Sequence, residues 1–205
     1  FPVVGPTWGR VGLIDVANDD VGNVPMFAQT RHQTYLAMSL QLALLHYGLA
    51  PQAARIEGDA VVVRGEEGNE VARIPLFKKQ LAEPNWFTPW ISGSNPRTGV
   101  ADVLESARMA REGQPREREE AAKFFSGFRD AIVLVGPADP FFKDTTAAPL
   151  SEGLVPRVSL HGNMLKTIVG GRYVRRLPVW SNCVLIIAVG LSAAGFAAAL
   201  QKTRW

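Results

Sequence analysis

The sequence predicts an α/β fold, a mixed sheet with flanking helices, followed by a C-terminal transmembrane helix. Three observations carry that expectation. Short apolar runs alternate along the chain with segments of three-to-four apolar periodicity. One run, AIVLV at residues 131–135, is apolar without interruption, the pattern of a strand buried on both faces of a sheet. Finally, residues 179–200, VWSNCVLIIAVGLSAAGFAAAL, carry no Asp, Glu, Lys, Arg or His.

Taken in order, VGLIDV at residues 11–16 is expected to be a strand, followed by an acidic turn at Asn18, Asp19, Asp20 and Gly22. Residues 34–47 read as a helix with Leu36, Leu40, Ala43 and Tyr47 on its buried face and Gly48 as its stop. Residues 60–64 and 71–75 read as two strands of a hairpin joined by Gly65-Glu66-Glu67-Gly68-Asn69. Residues 84–99, rich in Pro, Gly, Asn and Trp, form a loop with one short strand. Helices are expected at residues 100–111 and 117–125, split by Gly113-Gln114-Pro115, and the mixed-charge run REGQPREREE is a solvated face. After the strand at 131–135 come the loop 138–156 and a helix at 159–169.

The last segment is a solvation problem. Its 22 residues make a helix of about 33 Å, against a hydrocarbon core of roughly 30 Å. A helix apolar on every side needs surroundings apolar on every side. Trp180 and Trp205 stand near its ends as interfacial aromatics do. Arg172, Arg175 and Arg176 precede it and Lys202 and Arg204 follow, so charge alone does not orient it. Small residues at helical spacing, Ala188 with Ser192 and Gly190 with Ala194, offer a close-approach face for a second copy of the helix.

Composition narrows the function classes. The chain has 205 residues, 47% hydrophobic and 20% charged, enough to build a core. With Cys183 as its single cysteine it has no intrachain disulfide framework and no cysteine-rich zinc site. The +3 net charge falls to +1 over residues 1–200, so no concentrated basic face is expected and nucleic acid is not an expected partner. The opening at Phe1, without Met or leader, reads as an internal position of a longer polypeptide.

The chain contains no G-x-S-x-G elbow, no G-x-x-x-x-G-K-[ST] loop and no G-x-G-x-x-G fingerprint. His32, His46 and His161 are dispersed, so neither a metal nor a cofactor is expected. Polar groups collect in two places: Asp15, Asp19, Asp20 and Gly22 after the first strand, and Asp139, Asp144, Thr145 and Thr146 with His161 and Asn163 after the second. Such groups at strand ends suit a ligand crevice. They equally suit local turn hydrogen bonds, the commoner role.

The run AIVLVGPADPFFKDTTAAP, then LVPRVSLHGNMLKTIVGGRYVRRLP, then an apolar span, resembles the end of a CHASE domain of the second type, an extracellular sensory domain associated with cyclases and histidine kinases. The matching positions are Val135-Gly136, Asp144, Ala148-Pro149 and His161-Gly162-Asn163, with Gly9, Asp20 and Gly22 in the earlier stretch. The family's Arg after the Asp-Gly turn is replaced by Asn23-Val24-Pro25, and its His-Ala-Asn by His-Gly-Asn. The resemblance implies that the family's N-terminal half, with its first strands and preceding membrane anchor, is missing from this stretch. The resemblance implies that residues 1–178 are an extracytoplasmic, non-catalytic sensory domain, 179–200 a transmembrane helix and 201–205 the start of a cytoplasmic segment. It implies ligand-binding positions at Asp20, Asp144, His161 and Asn163, and a small-molecule or peptide signal. A cytoplasmic cyclase, histidine kinase or Ser/Thr kinase would be the output, and a homodimer through the membrane helix the assembly. Two other classes stay open: a membrane-anchored hydrolase using Asp144 and His161, and an assembly domain that only holds partners.

Overall fold

A computed structural model describes residues 12–14, 22–93, 95–174 and 178–202. The chain divides between residues 173 and 174 into two units, described separately below.

The first unit is a mixed α/β structure of small sheets packed on helices. Its best-formed sheet has the order β4-β5-β6, from Ala54–Glu57, Ala60–Arg64 and Glu70–Pro75, all antiparallel. The hairpin expected from sequence is present, with Val61 opposite Ile74 and Val63 opposite Ala72. Its turn closes where the sequence places turn residues: the Gly65 N–H donates to the Asn69 carbonyl at 2.8 Å, and Gly68 takes a φ of +79°. Central β5 is buried from Ala60 to Val63, which explains its unbroken valine run. Strand β4 was not visible in the sequence pattern. Its residues Ala-Arg-Ile-Glu lie on an edge and alternate weakly.

Three further two-stranded pieces occur among the described residues. Strand β1 (Val24–Pro25) pairs with β7 (Leu81–Ala82), β2 (Phe27–Gln29) with β3 (Thr34–Leu36), and β8 (Thr145–Thr146) with β9 (Val155–Pro156), all antiparallel. A single parallel bridge joins Leu13 to Ala37. The short strand expected inside residues 84–99 is not found among the described residues there; the nearest strand is β7, which ends before them.

The helix expected over residues 34–47 is shorter. Helix α1 spans Met38–His46, and residues 34–36 are instead β3. Thr34 and Tyr35 are better strand than helix formers, and pairing Leu36 with Phe27 buries both side chains. Gly48, at φ +71°, ends the helix as expected. Helices α2 (Val100–Glu112) and α3 (Pro115–Ser126) form a helical hairpin. Each first turn is closed by a carboxylate, Asp102 on the Gly99 N–H and Glu117 on the Gln114 N–H.

Residues 131–135 are not a strand. They enter no ladder, and Val135 is 82% exposed. An apolar run becomes a central strand only where neighbours supply its hydrogen bonds, and among the described residues none does. The segment instead lies along helix α4 (Arg157–Gly170), where a Cβ on Gly162 would stand 3.3 Å from Leu134 and one on Gly136 would stand 2.8 Å from Val158. At Gly136 that approach leaves no room for a Cβ; at Gly162 a Cβ would require Leu134 to shift slightly.

The core is one cluster joining β1, β2, α1, the three-stranded sheet and α4, with Met26, Leu40, Leu44, Ile74, Leu160, Met164 and Ile168 fully enclosed. Each such side chain contributes roughly 1.5–3 kcal/mol on burial. Helix α4 is therefore the spine of the unit. Its C-terminal half is pinned by Tyr47 and Tyr173, whose hydroxyls approach the Ile168 carbonyl at 3.3 and 3.4 Å, and it ends at Gly171 in the left-handed region.

The second unit is helix α5 (Val179–Lys202), 24 residues or about 36 Å long. Its Trp180–Ala197 stretch has a mean hydropathy of 1.7 and none of it is buried against protein. It is the apolar C-terminal helix that the sequence predicts, long enough to cross a membrane.

Candidate functional site

Of the polar groups singled out in sequence, Asp144, His161 and Asn163 lie on or beside the N-terminal half of α4. That half begins at Pro156, whose fixed φ suits the entry to a helix, and the Ser159 hydroxyl donates to the Pro156 carbonyl at 2.7 Å. His161 sits one turn in and is 3% exposed. Its Nε2 lies 3.1 Å from the Ile14 carbonyl oxygen, which can only accept, so Nε2 carries the proton. Nδ1 is then an acceptor, buried and without a partner among the described residues. Burial lowers the His161 pKa, opposed by the hydrogen bond to Ile14 and by Asp144, while Arg157 adds to the lowering. The imidazole is held neutral.

Asn163, 4% exposed, donates its amide to the Ser159 carbonyl at 3.0 Å, leaving Oδ1 buried and without a partner among the described residues. Two residues apart on a helix, His161 and Asn163 point about 200° from each other. They do not converge on one ligand. Asp144, in the loop before β8, is partly exposed and faces Arg157 across 3.8 Å, while the Arg157 N–H donates to the Asp144 carbonyl at 3.0 Å. The charged pair thus sits at the surface end of α4, with His161 behind it.

The two polar regions of the sequence meet here in part. Ile14 reaches His161, and Gly22, at φ +68°, packs against Ala147 and Leu160, where a Cβ would stand 3.3–3.4 Å away. Asp15, Asp19 and Asp20 lie outside the described residues. Asp139 has the turn role, accepting the Phe141 N–H at 2.8 Å. Among the described residues the imidazole bonds to the Ile14 carbonyl and not to Asp144, so these two side chains do not form a hydrogen-bonded acid–base pair. Among the described residues no group of three or more His, Cys, Asp and Glu side chains could hold a metal. His32 and His46 are exposed, far from this cluster in sequence.

Sequence reasoning missed a concave surface elsewhere on the unit. An open groove of about 450 Å³ runs between the end of α1 and the β5–β6 turn, lined by Leu49, Gln52, Arg55, Arg64 and Glu66 among others. Arg64 is committed there to Glu57, through two contacts of 3.1 Å. The glycines at 48, 65 and 68 are its only sequence trace.

The family model of the CHASE2 domain matches residues 2–197. The chain belongs to the CHASE2 family. Members are sensory domains found in signalling proteins, of an extracellular class. No curated protein and no solved structure matches the sequence. The CHASE2 match covers both the α4 cluster and most of α5, so the sensory unit and the candidate span fall within one family domain.

Proposed function

We propose that this chain is the extracytoplasmic sensor of a membrane-bound receptor. Residues 1–178 lie outside the cytoplasm, 179–200 cross the bilayer, and 201–205 enter the cytoplasm. A nucleotide cyclase, histidine kinase or Ser/Thr kinase elsewhere in the receptor is the output. The observation that carries this reading is α5: an apolar helix of membrane length that forms the C-terminal part of the CHASE2 match.

A small-molecule or peptide signal acts at the α4 cluster. Asp144 and Arg157 supply the accessible charges, and the family resemblance adds Asp20, His161 and Asn163 as ligand-binding positions. A ligand shifts the receptor only by binding two arrangements of the unit unequally. Displacing Arg157 from Asp144 is one such difference, because it frees the first turn of α4. The helices of two copies associate through Gly190–Ala194 or Ala188–Ser192. The test is output from intact receptor in native membranes, compared with receptor lacking residues 1–178. Sensing predicts that removal changes output and abolishes its response to added solutes; unchanged output contradicts it.

A second reading, an assembly domain, is favoured by one observation. Val100 and Leu104 on α2, with Ile132, Val133, Val135, Phe141 and Phe142 beyond α3, are exposed apolar residues in one continuous part of the sequence. An assembly domain would alter the receptor's oligomeric state on removal and leave solute responses intact.

A further inference from the structure

Residues 84–99 carry Trp86, Phe87, Trp90 and Ile91, one cation, Arg97, and no Asp or Glu. Both arms of this loop are fastened to the C-terminal half of α4. The Asn85 N–H donates to the Thr167 hydroxyl at 2.8 Å, the Asn85 amide to the Arg172 carbonyl at 3.1 Å, and the Lys166 ammonium to Asn95 Oδ1 at 2.6 Å. Asn95 then closes the loop on itself: its amide donates to Thr88 Oγ1 and to the Pro89 carbonyl, both at 2.8 Å, and its backbone N–H to the Ser92 carbonyl at 3.1 Å. Trp86 turns inward against the core. Ile91 turns outward and is 75% exposed, and the Arg97 guanidinium stands 5.2 Å from the centre of the Trp90 ring.

A braced tip that shows an indole, an isoleucine and a guanidinium, with no carboxylate on the loop, is chemically matched to the boundary between phospholipid headgroups and acyl chains. The chain also brings such a boundary within reach. Arg172, to which the loop is bonded, precedes Val179 by seven residues, a tether of at most about 25 Å. We infer that Trp90, Ile91 and Arg97 form a membrane-docking tip that seats on the outer interfacial layer of the bilayer crossed by α5, with Arg97 on lipid phosphate and Ile91 at the acyl boundary. The inference rests on the proposed crossing by α5. Lipid contact at this tip would bear on α4 through Asn85 and Asn95, and so on the orientation of the sensory unit.

The test uses the full chain in vesicles of phosphatidylcholine and phosphatidylglycerol, in a Cys183→Ser background. A nitroxide is placed at Ile91→Cys, at Leu191→Cys and, as a reference, at Glu67→Cys on the exposed β5–β6 turn. Collisions with oxygen, which enters lipid, are compared with collisions with a water-soluble nickel chelate. Docking predicts that position 91 is oxygen-accessible and shielded from nickel relative to position 67, and that adding Arg97→Glu weakens the shielding. Position 91 as open to nickel as position 67, or shielded from both reagents as in a protein contact, overturns the inference. Position 191 separates the two claims: lipid-embedded at 191 but aqueous at 91 rejects the docking tip alone, whereas aqueous at both rejects the crossing as well.

Discussion

The imidazole of His161 has exchanged water for a backbone carbonyl, and that exchange has a pH signature. Its pKa in the folded chain lies below the ordinary 6.5, chiefly through burial. As pH falls the unfolded chain takes up the proton first, so the contribution of His161 to stability is complete above its unfolded pKa and is lost as pH falls toward the folded value. His161→Gln keeps an N–H for the Ile14 carbonyl and cannot titrate. Thermal melts of the full chain in detergent at about pH 7.5 and about pH 5.5 should show a smaller loss on acidification for the variant than for the wild type. Equal losses would place the acid sensitivity elsewhere. A different cost sits at Lys79, a non-glycine residue at φ +70° beside Lys78 at +48°. The left-handed region costs an L-residue about 1 kcal/mol, so Lys79→Gly should raise the unfolding free energy by about that amount, read as a higher denaturant midpoint.

Helix α4 organises the unit by hydrogen bonds that a packing pattern does not reveal. Thr167 joins two elements: its hydroxyl donates to the Asn163 carbonyl at 2.7 Å and accepts the Asn85 N–H at 2.8 Å. Thr167→Val preserves shape but leaves the Asn85 N–H without that acceptor, and should destabilise the chain by about 1–3 kcal/mol in denaturant titration. The sequence made some elements legible and not others for reasons of this kind. The β5–β6 hairpin and helices α2, α3 and α4 announce themselves because their alternation, periodicity and end signals are local. Strand β3 did not, because Leu36 fits the apolar spacing of the helix that follows it, and only Phe27 opposite decides the matter. The run 131–135 misled in the other direction: apolar residues specify a buried strand only if partner strands are supplied. Amide hydrogen exchange tests this directly. Among the described residues Ile132 to Val135 bond to no ladder, so their amides should exchange far faster than those of Val61 to Val63; comparable protection would mean a strand partner. At the site, His161, Asn163 and Asp144 were legible as polar residues near strand ends. That two of them would be buried on opposite faces of a helix, with Ile14 as the imidazole's partner, depended on contacts more than a hundred residues apart.

At the scale of the whole chain, a unit with its own core and an apolar helix without one have opposite solvation needs. The first unit buries one shared core. Helix α5 leaves Val184, Leu185, Ile186, Ile187, Val189, Leu191 and Phe196 exposed along its length. At roughly 1.5–3 kcal/mol for each side chain removed from water, these seven alone favour transfer to an apolar phase by about 10 to 20 kcal/mol. Such a helix left in water would drive aggregation, whereas a bilayer would satisfy it, as the proposed crossing requires. The most direct measurement is extraction of membranes carrying the full chain with alkaline carbonate, which strips peripheral proteins and leaves spanning ones. The chain should remain in the membrane pellet, and replacing Ile186, Ile187 and Leu191 by Lys should release it. Release of the unmodified chain into the carbonate supernatant would contradict the account.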